Sequence, residues 1–187
     1  NFFSLASRRK LPAFTDALIR EITLTTNYLP DNHLDTIYFG GGTPSLMPEH
    51  LLQKILQTIH RYYQTSIPEI TLEMNPEDVT PDYLRVLSDM GINRLSIGIQ
   101  SRYTEDLVWL GRSHSAEQAE QALSAILRSN SAPNTSRWNV SVDLIYGIPT
   151  LTDRRWKQTL QQITGKGIPH LSAYALTVEP RTALAWR

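Results

Sequence analysis

Apolar residues follow two alternating spacings along the chain, one typical of amphipathic helices and one typical of buried strands. The helical spacing predicts helices at residues 11–28, 48–63, 80–91, 115–129 and 151–164. Short apolar runs between them predict strands at residues 34–39, 69–74, 93–100, 138–147 and 170–178. The stretch at residues 128–137, rich in serine, asparagine and other loop-forming residues, is predicted to be a surface loop.

Polar residues at the starts of the predicted helices support these boundaries. Thr80 is expected to cap the third helix, with Pro81 at its first position. Ser115 opens the fourth helix, and Thr152 or Asp153 opens the fifth.

The regular alternation of strand and helix predicts an α/β fold with parallel strands and outer helices, forming one domain over residues 1–187. Each predicted strand ends in small or polar residues. Ligands of parallel α/β folds bind beyond the carboxyl ends of the strands, so these residues are expected to converge there. Because they recur on every strand rather than at one point, a barrel or partial barrel is favoured over an open, doubly wound sheet.

Composition and charge exclude several classes of protein. The 187 residues include 18 basic and 18 acidic ones without a long run of one sign, so nucleic acid is not an expected partner. No apolar run reaches the roughly 18 residues that span a bilayer, and the first basic cluster follows the apolar residues, unlike in a signal peptide. A cytoplasmic location is therefore expected. The sequence has no cysteine, which excludes disulfides and thiolate metal ligands within these residues.

Three consecutive glycines, residues 40–42, follow the first predicted strand and precede Thr43 and Pro44. The run matches neither the G-x-x-x-x-G-K-[ST] nor the G-x-G-x-x-G phosphate-binding pattern. A tight turn with positive φ usually needs a single glycine, so three of them favour a bare main chain that approaches a charged ligand closely. Thr43 adds a hydroxyl, and Pro44 stiffens the turn.

Two carboxylates, Glu73 and Asp143, lie among apolar residues of predicted strands, where burial is unfavourable unless a partner or ligand satisfies them. A vicinal diol such as ribose would do so. An ion pair with Arg94 or Arg112 is an equally open alternative. Gln100, at the end of the third predicted strand, can donate and accept hydrogen bonds to a nucleoside or simply cap its strand.

Arg112 and His114 lie in the segment LGRSHS, before a predicted helix. Arg112 has the geometry to bind a carboxylate through two hydrogen bonds, whereas an exposed loop position is the commoner explanation for either residue. The histidines lack metal-binding spacing, and no Ser-His-Asp arrangement is visible.

Six segments, in order, resemble the radical S-adenosylmethionine proteins related to oxygen-independent coproporphyrinogen III oxidase: YFGGGTPSLM, TLEMNPED, NRLSIGIQS, LGRSHS, VDLIYGIPTLT and HLSAYALTVEPRTAL. The resemblance covers nearly the whole chain. Within that group, LGRSHS and NFFS resemble the HemW-type haem chaperone branch more than the oxidase. The resemblance implies a partial (β/α) TIM-like barrel of the radical SAM type, with S-adenosylmethionine as its ligand.

The resemblance also assigns residues to the S-adenosylmethionine site: Gly41, Gly42, Thr43, Glu73, Gln100, Arg112, Asp143 and Ala175. The glycines and the threonine would hold the methionyl amino group, and the glutamate and glutamine would contact the ribose and its surroundings. The arginine and aspartate would complete the pocket, and the alanine would line the adenine side.

Proteins of this family carry a four-iron four-sulfur cluster on a C-x-x-x-C-x-x-C loop, which follows the first strand and directly precedes a segment like NFFS. Asn1 begins at that segment. The resemblance therefore implies that the first strand and the cluster-binding cysteines precede this chain, and that a C-terminal domain follows Arg187.

Three functions are compatible with these features. The chaperone branch implies haem binding and transfer to an acceptor protein, and the oxidase branch implies oxidative decarboxylation of two propionates of coproporphyrinogen III. The third is a metal-free barrel that binds a nucleotide-like ligand without catalysis. The candidate haem ligands, among which the sequence does not choose, are His33, His60, His114 and His170.

Overall fold

The computed structural model describes residues 8–66, 68–131 and 138–186, so the segment NFFS lies outside the described residues. The strands are β1 (Thr36–Phe39), β2 (Glu69–Met74), β3 (Arg94–Gln100), β4 (Asn139–Tyr146) and β5 (His170–Ala175). The helices are α1 (Leu11–Leu24), α2 (Glu49–Tyr62), α3 (Pro81–Asp89), α4 (Thr104–Trp109), α5 (Ala116–Ser131) and α6 (Asp153–Gly165). Short 3-10 helices cover Arg8–Lys10, Pro44–Leu46, Pro76–Asp78 and Ala183–Trp186.

The strands form one parallel sheet in the order β1-β2-β3-β4-β5. Right-handed crossovers between successive neighbours place the connecting helices on the same side of the sheet. A doubly wound sheet would instead reverse its strand order at a switch point. The sequential order therefore confirms the predicted α/β partial barrel, in which the helices cover the convex face and the opposite face is concave.

The convex face of the sheet is apolar and buried. Its central strand residues are at most 3% exposed: Ile70, Leu72, Met74, Leu95, Ile97, Val140, Val142 and Leu144. They share one core with helix residues that include Leu52, Leu87, Leu123 and Ile163. Removing each large side chain from water contributes about 1.5–3 kcal/mol, so this layer supplies most of the stabilisation.

The concave face carries the alternate strand residues, which are mostly polar. In the strand register Glu73 pairs with Ser96, and Ser96 pairs with Ser141. Near the amino ends of the strands, Arg94 Nη1 donates to Glu69 Oε1 at 2.8 Å. Arg94 lies two residues before Ser96 on the same face, toward the amino end of β3. The ion pair therefore does not occupy the carboxyl end of the concave face.

The helix starts follow the sequence prediction closely. Thr80 Oγ1 accepts from Tyr83 N–H at 3.1 Å, and Thr152 Oγ1 accepts from Arg155 N–H at 3.3 Å. The loop predicted at 128–137 is wrong in its first part, because α5 continues to Ser131. Its remainder, 132–137, lies outside the described residues. In the described ranges, no helix is both long and apolar enough to cross a membrane.

Candidate functional site

The three glycines after β1 differ in backbone conformation and in the space around the position of a Cβ atom. A Cβ on Gly40 would lie 2.6 Å from Tyr38 Cε1 and 3.1 Å from Glu73 Oε1, so a larger residue there would displace the Tyr38 ring from its present position. Gly41 has φ +108°, a region that other residues rarely adopt. Gly42 has neither constraint, since its φ is not positive and no atom lies within 4 Å of its ideal Cβ. Its bare backbone borders open space, as expected beside a ligand.

Glu73 is held by donors from β1 and from the glycine turn. Tyr38 O–H donates to its Oε1 at 2.7 Å, and Gly41 N–H donates to its Oε2 at 3.1 Å. Hydrogen bonds to a charged group are among the stronger ones, so the carboxylate is fixed before any ligand arrives. The alternative of an ion pair with Arg94 is not observed, because Arg94 pairs with Glu69.

This arrangement limits what Gly41 can offer a ligand. Its N–H already donates to Glu73. A methionyl ammonium group is a hydrogen-bond donor, so any contact with Gly41 has to use the carbonyl oxygen of that residue.

Tyr38 is a site residue that the sequence reasoning missed. Partial burial of its phenol, together with the neighbouring Glu73 carboxylate, raises the pKa of Tyr38 to about 12, with Ser96 acting in the opposite direction. Tyr38 therefore stays a neutral donor to Glu73 at physiological pH. No local signal marked Tyr38, because its contact with Glu73 depends on the register of β1 and β2, which pairs Tyr38 with Thr71 on the face that carries Glu73.

Asp143 joins the same cluster through Ser96. Ser96 Oγ donates to Asp143 Oδ2 at 3.1 Å, and Ser96 is the register partner of Glu73. Ser96 is 6% exposed, whereas both carboxylate residues are only partly buried. Within the described residues neither carboxylate forms an ion pair. Two such groups on one concave wall attract a cationic ligand.

Gln100 ends β3 with a backbone that few residues adopt. Its φ is +65°, in the left-handed region. Its Nε2 lies 2.9 Å from the position of an ideal Cβ on Gly98, so the amide folds back over that glycine. By strand alternation Gly98 shares the concave face with Ser96. The Gln100 amide therefore lies at the carboxyl end of the concave face, which is the mouth of the partial barrel.

Arg112 and His114 occupy the segment between α4 and α5. Arg112 is exposed, as predicted for a loop residue, and the Glu77 carboxylate interacts with it electrostatically. An exposed position is wrong for His114, which is 4% exposed. Its Nδ1 lies 3.4 Å from Glu77 Oε2, and its Nε2 lies 3.2 Å from the Ile99 carbonyl oxygen. His114 therefore ties the segments after β2 and α4 to the end of β3.

Thr43 and Ala175 lie at opposite edges of the mouth. Thr43 directly follows the glycines, and its carbonyl oxygen accepts from Leu46 N–H at 3.1 Å. Ala175 is the exposed last residue of β5 and pairs with Tyr146. Both residues are at the carboxyl ends of their strands. By strand alternation, however, the side chain of Ala175 lies on the convex face with its register partner Tyr146, so only the backbone of Ala175 borders the concave side.

The other candidate haem ligands lie away from this mouth. His170 is the first residue of β5, and His60 is in the last turn of α2, directly before β2. His33 precedes β1 and lies 3.3 Å from Asp35 Oδ1. All three are exposed and belong to the amino end of the sheet. In the part of the chain that the structure describes, no group of His, Asp or Glu side chains could hold a metal ion.

The fold and this site define a class of protein. The family model described as the Radical SAM superfamily matches residues 7–163, and the chain belongs to that superfamily. The family implies S-adenosylmethionine and a four-iron four-sulfur cluster. The bare Gly42 backbone and the two unpaired carboxylates suit the cationic S-adenosylmethionine. The chain has no cysteine, so it supplies no thiolate for the cluster.

The curated proteins most useful for comparison are named as heme chaperones or as radical S-adenosylmethionine domain proteins. The "Heme chaperone HemW" of Synechocystis sp. is 35% identical over 170 residues, covering 90% of this chain and 39% of that protein. The mitochondrial "Radical S-adenosyl methionine domain-containing protein 1" of Mus musculus is 38% identical over 152 residues, covering 81% and 33%. The chain thus spans less than half the length of these relatives.

Solved structures share the fold. Coproporphyrinogen III oxidase (HemN) from Escherichia coli superimposes with a TM-score of 0.80 at 24% identity, covering 96% of this chain and 41% of the other. Archaeal Elp3 from Methanocaldococcus infernus gives a TM-score of 0.65 at 18% identity, covering 95% and 44%. These matches support the partial barrel architecture of the described sheet.

Proposed function

We propose that this chain is the core of a HemW-type radical SAM protein, which binds S-adenosylmethionine at the carboxyl mouth of the barrel and acts, when intact, as a haem chaperone. One observation carries the proposal. The Glu73 carboxylate is fixed by Tyr38 and Gly41 directly beside the open backbone of Gly42.

The proposed contacts follow from the charges of the ligand. S-adenosylmethionine carries a sulfonium, an ammonium and a carboxylate group. Glu73 and Asp143 offer negative charge to its cationic part, and the carbonyl oxygens of the glycine turn accept from its ammonium. The exposed Arg112 guanidinium is assigned to its carboxylate. Gln100 would contact the ribose and its surroundings, and Ala175 the adenine side.

The cluster is proposed to come from residues that precede this chain, with a further domain after Arg187. Support comes from the relatives, which are more than twice as long as the matched region. When bound, the cluster would supply one electron for the cleavage of S-adenosylmethionine to methionine and a deoxyadenosyl radical. The residues described here bind and orient S-adenosylmethionine.

Haem is the proposed cargo, and a haem-accepting protein the proposed partner. Support comes from similarity to proteins named heme chaperones in Synechocystis sp. and Bacillus subtilis. His114 is not proposed as the haem ligand, because it is buried and both ring nitrogens face oxygen atoms. A cytoplasmic location belongs to the proposal and is tested by fractionation of cells that express the intact protein.

The proposal is tested on the intact protein after anaerobic reconstitution of its cluster with iron and sulfide. Two activities are assayed. We expect it to bind haem stoichiometrically and to leave coproporphyrinogen III unchanged in the presence of S-adenosylmethionine. Turnover of coproporphyrinogen III with consumption of S-adenosylmethionine would reject a pure chaperone role and support the oxidase.

The gene upstream of NFFS provides a separate test. We expect it to encode a C-x-x-x-C-x-x-C loop within a few dozen codons. If no such loop is encoded, both cluster-dependent functions are rejected, and the metal-free binding barrel becomes the better explanation.

A further inference from the structure

Asp106 of α4 is completely buried, at 0% exposure, although it carries a carboxylate. Its Oδ2 accepts from Ser101 Oγ at 2.6 Å, and its Oδ1 accepts from Thr150 Oγ1 at 2.5 Å. A carboxylate without such donors is unfavourable in the interior, so both hydroxyls are needed to keep it there. Asp106 therefore joins the segment after β3 to the segment after β4.

Both segments adjoin candidate ligand residues. Ser101 directly follows Gln100, and Thr150 follows β4, the strand that contains Asp143. The buried carboxylate thus fixes two neighbouring strand ends at the mouth of the barrel without facing the mouth itself.

The hydrogen bonds of Ser101 constrain the backbone at Gln100. A non-glycine residue persists in the left-handed region only where its surroundings enforce that conformation. After Gln100, the Ser101 hydroxyl is bound to Asp106 and accepts from Tyr103 N–H at 3.2 Å. Ser101 N–H also reaches back across Gln100 to the Ile99 carbonyl oxygen at 2.8 Å. The chain is therefore held on both sides of the residue with φ +65°.

This constraint determines where the Gln100 amide points. In the left-handed conformation its Nε2 lies over Gly98, on the side of the sheet that carries Ser96 and Asp143. Gln100 is two residues after Gly98, so an extended Gln100 would also face this side of the sheet. Its Cα–Cβ bond would then point in a different direction, and the amide would no longer fold back over Gly98.

We propose that Asp106 is a positioning residue, which acts through the Ser101 hydroxyl to hold the Gln100 amide toward the S-adenosylmethionine bound at the mouth. The inference rests on the proposed function, because it assigns a role to Asp106 only in binding that ligand. If the role of Asp106 were purely structural, loss of its hydrogen bond with Ser101 would also lower stability. The effect of that loss on ligand affinity would then not depend on Gln100.

A double-mutant cycle on the intact, reconstituted protein separates the two roles. Wild type, Ser101→Ala, Gln100→Ala and the double variant are compared by equilibrium dialysis against radiolabelled S-adenosylmethionine, with thermal unfolding as a parallel readout. We expect Ser101→Ala to weaken binding about tenfold in the wild-type background and less than about twofold when Gln100 is already alanine.

Thr150→Val is the matched control, because it removes one hydroxyl from the same carboxylate while leaving the Ser101 bond in place. It is expected to lower the unfolding temperature about as much as Ser101→Ala does, with a smaller loss of affinity that is independent of Gln100. If Ser101→Ala is too unstable to assay, Asp106→Asn replaces it in the same cycle.

Multiplicative effects of the two substitutions, or unchanged affinity in a folded Ser101→Ala variant, would overturn the inference alone. Failure of the wild-type protein to bind S-adenosylmethionine would overturn the proposed function, and the inference with it.

Discussion

The two faces of the sheet differ in polarity and burial, although the same strands form both. On the convex face, Leu72 and its neighbours are apolar, buried and covered by helices. On the concave face, Glu73 is a partly buried carboxylate held by a phenol and a backbone amide. Leu72 and Glu73 are adjacent in sequence and point in opposite directions. Stability and ligand binding are therefore expected to respond to different residues, although both depend on one strand.

The largest expected effect is on the convex face. Leu72→Ala removes a side chain that is 0% exposed and leaves a cavity in the core. We expect it to lower the free energy of unfolding by about 2–5 kcal/mol. Urea unfolding followed by tryptophan fluorescence measures the change. A loss below about 1 kcal/mol would mean that this face is not the main source of stability.

The next effect belongs to the concave face. Glu73→Ala and Asp143→Ala each remove a charge from the mouth, and each is expected to weaken S-adenosylmethionine binding about 10- to 100-fold. The expected loss of stability is about 1–2 kcal/mol, smaller than that of Leu72→Ala, because these partly exposed carboxylates lose hydrogen bonds rather than core packing. Equilibrium dialysis and urea unfolding provide the two readouts.

Glu69→Gln is the control for the Glu73→Ala and Asp143→Ala variants. Glu69 lies on the same strand but at its amino end, where it pairs with Arg94. Its substitution should leave S-adenosylmethionine affinity unchanged. Equal loss of affinity in all three variants would contradict a site confined to the carboxyl end.

A smaller effect is expected within the glycine turn itself. Gly42→Ala should keep the fold, because the added methyl group meets open space, and should weaken binding about tenfold by entering the ligand's position. Gly40→Ala should instead destabilise the fold by about 1–3 kcal/mol, because its Cβ would collide with Tyr38. Identical behaviour of the two variants would remove the distinction between a structural and a ligand-facing glycine.

The smallest effect is the titration of Tyr38. Its pKa is raised from the ordinary 10.0 to about 12 by burial and by Glu73. The folded state therefore holds this proton more tightly, and the resulting stabilisation is complete below pH 10 and is lost as the pH rises toward 12. The difference in phenolate absorbance between wild type and Tyr38→Phe should show a step near pH 12. A step near pH 10 would contradict the hydrogen bond to Glu73.

Much of the fold could be predicted because strand and helix spacings are local properties. The start of α3 at Pro81 and the bounds of β2 agree with the sequence prediction. The short helix α4 was not predicted, because its six residues carry too little periodicity. The sequence could not exclude an ion pair of Glu73 with Arg94, since the choice of partner depends on strand register.

The site was predictable as a location but not in its contacts. Polar residues at strand ends indicated one mouth, and the resemblance assigned residues to it. The Tyr38 bond to Glu73 joins residues 35 positions apart, and the burial of His114 depends on contacts with Glu77 and Ile99. The left-handed backbone of Gln100 likewise depends on neighbours that only the folded chain brings together.

A crystal structure of the intact, reconstituted protein with S-adenosylmethionine would show whether this ligand binds at the concave mouth. We expect the ligand to lie beside the Gly42 backbone and to contact Glu73 and Asp143. Ligand bound at the amino ends of the strands, or a mouth filled by another part of the protein, would contradict it.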